Sequence, residues 1–311
     1  MLVDEAYERF RVVGEGDVSD VYPALAEASP DRFGICVVSV TGLSHAAGEA
    51  DAQFTIMSVA KPFVFALVCA AIGAEAIRDA IGVNATGLSF NSLEAVERGD
   101  GRTNPMVNPG AIATAGLVPG RTADERWAFV VDGLSRFAGR SLALDEDVYR
   151  SASETNVVNR ELVHALSQRG RVLGDPAEAL DLYTRQSSIA VNALDLATMG
   201  ATLADGGVNP LTGERVVDEE TCRNTLAVMT TAGLYEMSGD WLYDVGLPGK
   251  SGIGGGIGTV APGKGGLGTF SPPLDEAGNS VRGQLAARFL SRALGMDLFV
   301  SQPATDEGVR A

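Results

Sequence analysis

The chain has 311 residues, 45% hydrophobic and 21% charged, enough apolar material for one large domain or two intertwined ones. A net charge of −16 argues against nucleic acid and anionic membranes as partners and for a soluble protein. A small-molecule substrate stays open, because a site can be locally basic on an acidic protein.

The opening Met1-Leu2-Val3-Asp4-Glu5 lacks the basic-then-apolar order of a secretory signal, so the cytoplasm is the expected compartment. Residues 33–41 are apolar and β-branched and predict a strand. A turn at Gly42 and a short strand near Gln53-Phe54-Thr55 follow, with His45 in a glycine-rich turn. A helix is expected from about Val59 to Ile81. Its apolar run, Pro62 to Gly73, is too short to span a membrane. Residues 82–110 read as loop, then Ala111–Leu117 as a short buried helix. Thr122-Ala123-Asp124-Glu125 reads as a capping box opening a helix to about Phe137. Further helices are expected at 155–168, 176–184, 192–205 and 218–232. Glycines from 246 to 258 break the helical pattern. Short strands are expected around 249–260 and 266–271, then a last helix at about 281–294.

Strands near both ends and helices between them predict an α+β protein, with one antiparallel sheet and an all-helical insertion. The expected units are a sheet subdomain from 1–60 and 234–301, a helical subdomain from 61–233, and a loose tail from 302–311.

Ser58-Val59-Ala60-Lys61 falls at the junction of the two units. Residues three apart share a helical face, which brings the Lys61 amine within reach of the Ser58 hydroxyl. A serine becomes a nucleophile when a base takes its proton, and lysine is a base only when neutral. Burial and a helix N-terminus both favour the neutral form. The plain alternative is an N-capping serine beside a solvated lysine. The two histidines, His45 and His164, have no setting that suggests a Ser-His-Asp triad. No Cys/His cluster has metal-ligand spacing, so neither metal nor cofactor is expected. Cys36, Cys69 and Cys222 read as reduced core residues. Gly258 to Lys264 matches G-x-x-x-x-G-K, but Gly265 replaces the Ser or Thr that would hold Mg²⁺. A glycine-rich strand at Lys250-Ser251-Gly252-Ile253, lining the cleft, is the better reading.

S-x-x-K early and K-S-G late resembles the layout of serine β-lactamases and penicillin-binding proteins. The more detailed resemblance is to the serine-dependent glutaminases, which share that fold. It runs from about Val21 to Ala293. It is carried by Phe90-Asn91-Ser92-Leu93, Asn104-Pro105-Met106-Val107-Asn108-Pro109-Gly110, Ser153-Glu154 with Arg160, and Tyr183-Thr184-Arg185-Gln186. It continues in Leu203 to Pro210, Gly233-Leu234-Tyr235, Gly246 to Ile257, and Ser271-Pro272-Pro273-Leu274-Asp275. The resemblance implies hydrolysis of L-glutamine to L-glutamate and ammonia. In that scheme Ser58 is the nucleophile, Lys61 its base, and Tyr235 the proton relay. The backbone N–H groups of Ser58 and Ile253 form the oxyanion hole. Asn108, Glu154, Tyr183, Tyr235, Lys250 and Ile253 fall on substrate-contacting positions, and a homodimer or homotetramer is expected. Against the family pattern, Met57 replaces a glutamine and Glu161 replaces a substrate-binding asparagine. A carboxylate there only accepts hydrogen bonds, so the swap points to an altered amide substrate, with Glu161→Asn expected to raise turnover. A β-lactamase-like hydrolase and a catalytically weak binding homologue are the alternatives.

Overall fold

The computed structural model describes residues 1–98 and 100–300; the expected tail at 302–311 lies outside them. Strands β1 (Gly34–Ser39) and β2 (Ser44–Gly48) form a hairpin. Strands β3 (Phe54–Thr55), β4 (Ala143–Leu144) and β5 (Ile189–Val191) are short. Strands β6 (Gly249–Ser251), β7 (Gly256–Ala261) and β8 (Gly265–Phe270) follow late in the chain. The main sheet has the order β2-β1-β8-β7-β6 and every pair is antiparallel. The early hairpin is thus bonded to the late strands, which requires both ends of the chain to meet. β3, β5 and β4 make a second, three-stranded sheet, in which the residues just before Met57–Val59 pair with the otherwise helical middle.

Two helices from the chain ends, Leu2–Phe10 and Val281–Ala293, cover one face of the main sheet. Ile35, Ile257, Leu267, Ala286 and Leu290 make the apolar layer there. The other face takes the helix Ala193–Ala204. Side chains alternate along β8, so Gly266 and Gly268 face this helix while Leu267 faces the other layer. A Cβ at either glycine would lie 2.1 Å from a helix carbonyl, Ala197 O or Ala193 O. Hydrogen at both positions lets helix backbone rest on strand backbone.

The largest apolar cluster surrounds the helix Ala60–Ile72, which is buried on nearly every side. It packs against Asn108–Gly116, Ala123–Ala138 and Glu219–Ala232. The expected helix from 59 to 81 is two helices, Ala60–Ile72 and Ala74–Ile81, parted by Gly73 at φ 95°. Thr122 caps its helix through Glu125 N, but the Glu125 carboxylate takes Arg121 N, so the reciprocal half of the box is absent. His45 lies in β2, not in a turn, with Nε2 3.0 Å from Asp4 Oδ2. Cys36, Cys69 and Cys222 are buried free thiols.

Candidate active site

Strand β3 runs into a single 3₁₀ turn, Met57–Val59, and then into the helix Ala60–Ile72. Met57 has φ 46° and Tyr235 has φ 56°; among the described residues these are the two non-glycine residues in the left-handed region. Both border the same spot, and backbone strain of this kind costs about 1–3 kcal/mol and persists only where the surroundings hold it. Met57 is fixed by packing with Leu25 and Val148. The Ser58 hydroxyl caps no helix. The capping alternative therefore fails, and the hydroxyl is free for chemistry.

Lys61 is 1% exposed. Its Nζ donates to Asn108 Oδ1 at 2.6 Å and to Met106 O at 3.5 Å. Burial pushes its pKa down to about 7, with no carboxylate offsetting that. Among the described residues Lys61 makes no hydrogen bond to Ser58; its amine rests on Asn108 instead.

Asn108 sits there because its segment folds tightly. Asn104 Oδ1 accepts from Met106 N at 2.9 Å, and a Cβ at Gly110 would meet Asn104 O at 1.9 Å. Asn108 then opens the helix Asn108–Gly116, with Pro109 in the first turn, where its missing N–H leaves nothing unpaired. Tyr183 O–H donates to the same Asn108 Oδ1 at 3.0 Å. Asn108 Nδ2 donates to Asn159 Oδ1 at 2.9 Å, Asn159 Nδ2 to Asn156 Oδ1 at 2.5 Å, and Asn156 Nδ2 to Thr184 Oγ1 at 3.2 Å. A relay of amides thus runs from the lysine across the cavity floor.

Tyr235 O–H donates to Ser251 O at 3.3 Å and has the Ser58 hydroxyl beside it. Burial pushes the phenol up to about 12, with Ser58 and Ser251 pulling it back. Lys250, fully buried, donates to Ser251 O at 2.8 Å, and its Nζ lies 4.1 Å from the Tyr235 ring centroid. Burial first, and the Lys61 charge second, lower its pKa well below that of a free lysine. Lys250 therefore stands behind the tyrosine and does not line the cavity.

After β6 the chain turns through Gly252, Ile253 and Gly254 against residues 55–58. A Cβ at Gly252 would lie 3.2 Å from Ser58 N, and one at Gly254 would lie 2.7 Å from Thr55 O. Among the described residues neither Ser58 N nor Ile253 N has a hydrogen-bond acceptor. Two unpaired N–H groups on adjoining segments form a pair of donors for an oxygen anion.

These groups meet at a cavity of about 190 Å³, lined by Ser58, Asn108, Tyr183 and Ile253 together with Asn156 and Asn159. A larger hollow, about 690 Å³, lies elsewhere between Arg78, Arg98 and Arg102 and touches none of them. Glu154 and Glu161 are not brought to the cavity: both are exposed and neither lines it. In the helix Glu146–Thr155 the wall position belongs to Ala152. The asparagine that lines the cavity beside Arg160 is Asn159, two positions before Glu161. Asn156, just before the helix Val157–Gln168, and Asn159 in its first turn, both buried, were the available signal. Among the described residues no group of three His, Cys, Asp or Glu could hold a metal, and no helix is long and apolar enough to cross a membrane.

An antiparallel sheet joined to a helical part, with a serine-bearing turn between them, places the chain among α+β proteins of the β-lactamase-like architecture. The Glutaminase family model matches residues 16–299. Glutaminase 2 of Yersinia pestis is 66% identical over 98% of this chain and 90% of its own. A glutaminase of Brucella suis is 47% identical over 96% of both. The solved structure of a probable glutaminase, ybaS, superposes with a TM-score of 0.95 at 42% identity, covering 96% of this chain and 97% of that one. Mglu in its glutamate form gives a TM-score of 0.92 at 38% identity over 97% of this chain and 70% of that one. The chain belongs to the glutaminase family.

Proposed function

We propose that the protein hydrolyses the side-chain amide of L-glutamine, giving L-glutamate and ammonia through an ester on Ser58. One observation carries this reading. A serine hydroxyl and two unpaired N–H groups open on one cavity, with the Tyr235 phenol beside Ser58 and, behind the cavity wall, a buried lysine of pKa about 7 bonded to the lining Asn108.

Lys61 is about half neutral at pH 7, and an amine that donates one N–H to Asn108 keeps its lone pair for the Ser58 proton. Ser58 Oγ attacks the carboxamide carbon, and the oxygen that gains charge is met by Ser58 N–H and Ile253 N–H. Losing one such donor typically costs about 10²–10³ in rate. The C–N bond breaks when nitrogen takes a proton, and Tyr235, kept protonated by burial, supplies it from beside Ser58. Lys250 supports that tyrosine from behind. Water then attacks the ester with the roles reversed, and glutamate leaves. Asn108 and Tyr183 hold substrate from the cavity wall, with Asn156 and Asn159 in place of the two glutamates.

The proposed sheet unit (1–60 and 234–301) and helical unit (61–233) meet at this site. Three buried free thiols suit a reducing compartment, which supports the cytoplasm. A homodimer or homotetramer remains our expectation, checked by light scattering. The decisive experiment is ammonia release from L-glutamine by wild type and Ser58→Ala, with mass spectrometry of Ser58. Wild type releases ammonia and carries a glutamyl adduct; the variant does neither. Ammonia release that survives in Ser58→Ala rules out the ester mechanism.

A further inference from the structure

Among the described residues, none that lines the cavity carries a charge. We propose that the site takes ω-carboxamides of short dicarboxylic acids whether or not they bear an α-ammonium, because it grips that end through uncharged amides and hydroxyls alone. This rests on the amidase reading and names its substrate class.

The wall nearest the two expected glutamates is built from Ala152, Asn156, Asn159 and Thr184. Ala152 is 2% exposed, with no room or charge to offer. Glu154 lies two residues further along the same helix, which turns it about 200° away, and it is exposed. The amide oxygens are also already engaged. Asn159 Oδ1 accepts from Asn108, and Asn156 Oδ1 accepts from Asn159 and, at 3.5 Å, from Tyr22 O–H. A second lone pair remains on such an oxygen, but it is neutral, so an ammonium bonded to it gains no ionic partner. Two lysines, Lys61 and Lys250, stand behind the cavity and would repel an ammonium whenever protonated, while the carboxylates of Glu236 and Asp275 act there only as minor influences on Tyr235 and line no part of it. A cation entering here gives up water and gains no ionic partner. Its contribution to kcat/KM is therefore small.

A site with a dedicated polar partner rejects the analogue lacking the matching group by about 10⁴-fold or more. Here the comparison is between L-glutamine and glutaric acid monoamide, which differ only in the α-amino group. We expect kcat/KM values from ammonia release to lie within about thirtyfold of each other, and a larger preference for glutamine overturns the proposal. Calorimetric titration of Ser58→Ala with both amides reads the same ratio as Kd, independently of turnover. Ammonia release from neither amide with no adduct on Ser58 sinks the amidase reading itself. Release from glutamine alone leaves that reading standing and sinks only this one. Ala152→Glu, which puts a carboxylate at the wall, should move the preference toward glutamine by about tenfold or more. Glu154→Gln should leave the ratio where it was; a fall in glutamine preference would show that Glu154 reaches the substrate and would refute the proposal.

Discussion

At Lys61 a nitrogen lies 1% exposed with no carboxylate beside it, and its pKa of about 7 makes the rate answer to pH. Only the neutral amine can take the serine proton, so log kcat/KM should climb with unit slope below about pH 7 and level off above it. A flat profile from pH 5.5 to 8 would remove Lys61 as the base. Glu161 makes the opposite kind of prediction. It was expected to spoil an asparagine site, with Glu161→Asn raising turnover. The side chain is exposed and off the cavity, so kcat and KM for glutamine should both stay within about twofold of wild type. The Ser58–Lys61 pairing was legible as a local spacing only, since the Lys61 amine bonds Asn108, 47 residues further along, and not Ser58. Asn156 and Asn159 were not, because counting forward from Ser153-Glu154 assumes a register that the junction of two helices does not keep. The non-helical backbone at Asn156, φ −76° and ψ 51°, makes that junction.

Among the elements, β8 and the helix Ala193–Ala204 depend on two missing side chains. Gly268→Val would drive a branched side chain into a helix carbonyl 2.1 Å from the Cβ, and backbone cannot rotate away as a flexible side chain can. Overpacking of this kind costs about 1–3 kcal/mol and here should reach the upper end. Urea denaturation reads it as a lower midpoint with an unchanged slope, whereas an unaltered midpoint would mean the helix stands further off. Both elements were legible, the strand as a short one expected at 266–271 after glycines broke the helical pattern and the helix as the one expected at 192–205. Their contact was not, since a glycine in a sequence announces freedom and does not say what approaches it. Strand β2 was missed for the complementary reason. Ser44-His45-Ala46-Ala47-Gly48 carries no β-branched residue, and only pairing with Ile35, Val37 and Val38 makes it a strand. Gly73, likewise, was read as helix interior until its φ of 95° split the run in two.

For the molecule as a whole, two buried lysines without carboxylate partners set how folding responds to pH. Lys61 titrates at about 7 in the folded protein against 10.5 when free, and Lys250 is lowered in the same sense. Between pH 7 and 10.5 the unfolded chain therefore holds a proton at Lys61 that the folded chain does not. Stability rises with pH wherever the unfolded state binds more protons, at most by about 1.4 kcal/mol per pH unit per group. The gain is lost as pH falls back toward 7, and below that the full penalty of burying the amine remains. Cys36 and Cys222, pushed up to about 12 from 9, act in reverse above pH 9, because the unfolded thiols ionise first. The cysteine effect is common to wild type and a Lys61 variant, so the difference between the two isolates the lysine from pH 7 to 9. Replacing the lysine by a methionine of similar length removes the desolvated amine while keeping the packing. Lys61→Met should consequently lose ammonia release, unfold at higher urea than wild type at pH 7, and show a shallower rise in stability from pH 7 to 9. The difference in slope should approach 1 kcal/mol per pH unit, on the order of one titrating group. Equal slopes in the two proteins would mean that the amine is charged in the folded state across this range, and it could not then act as the base.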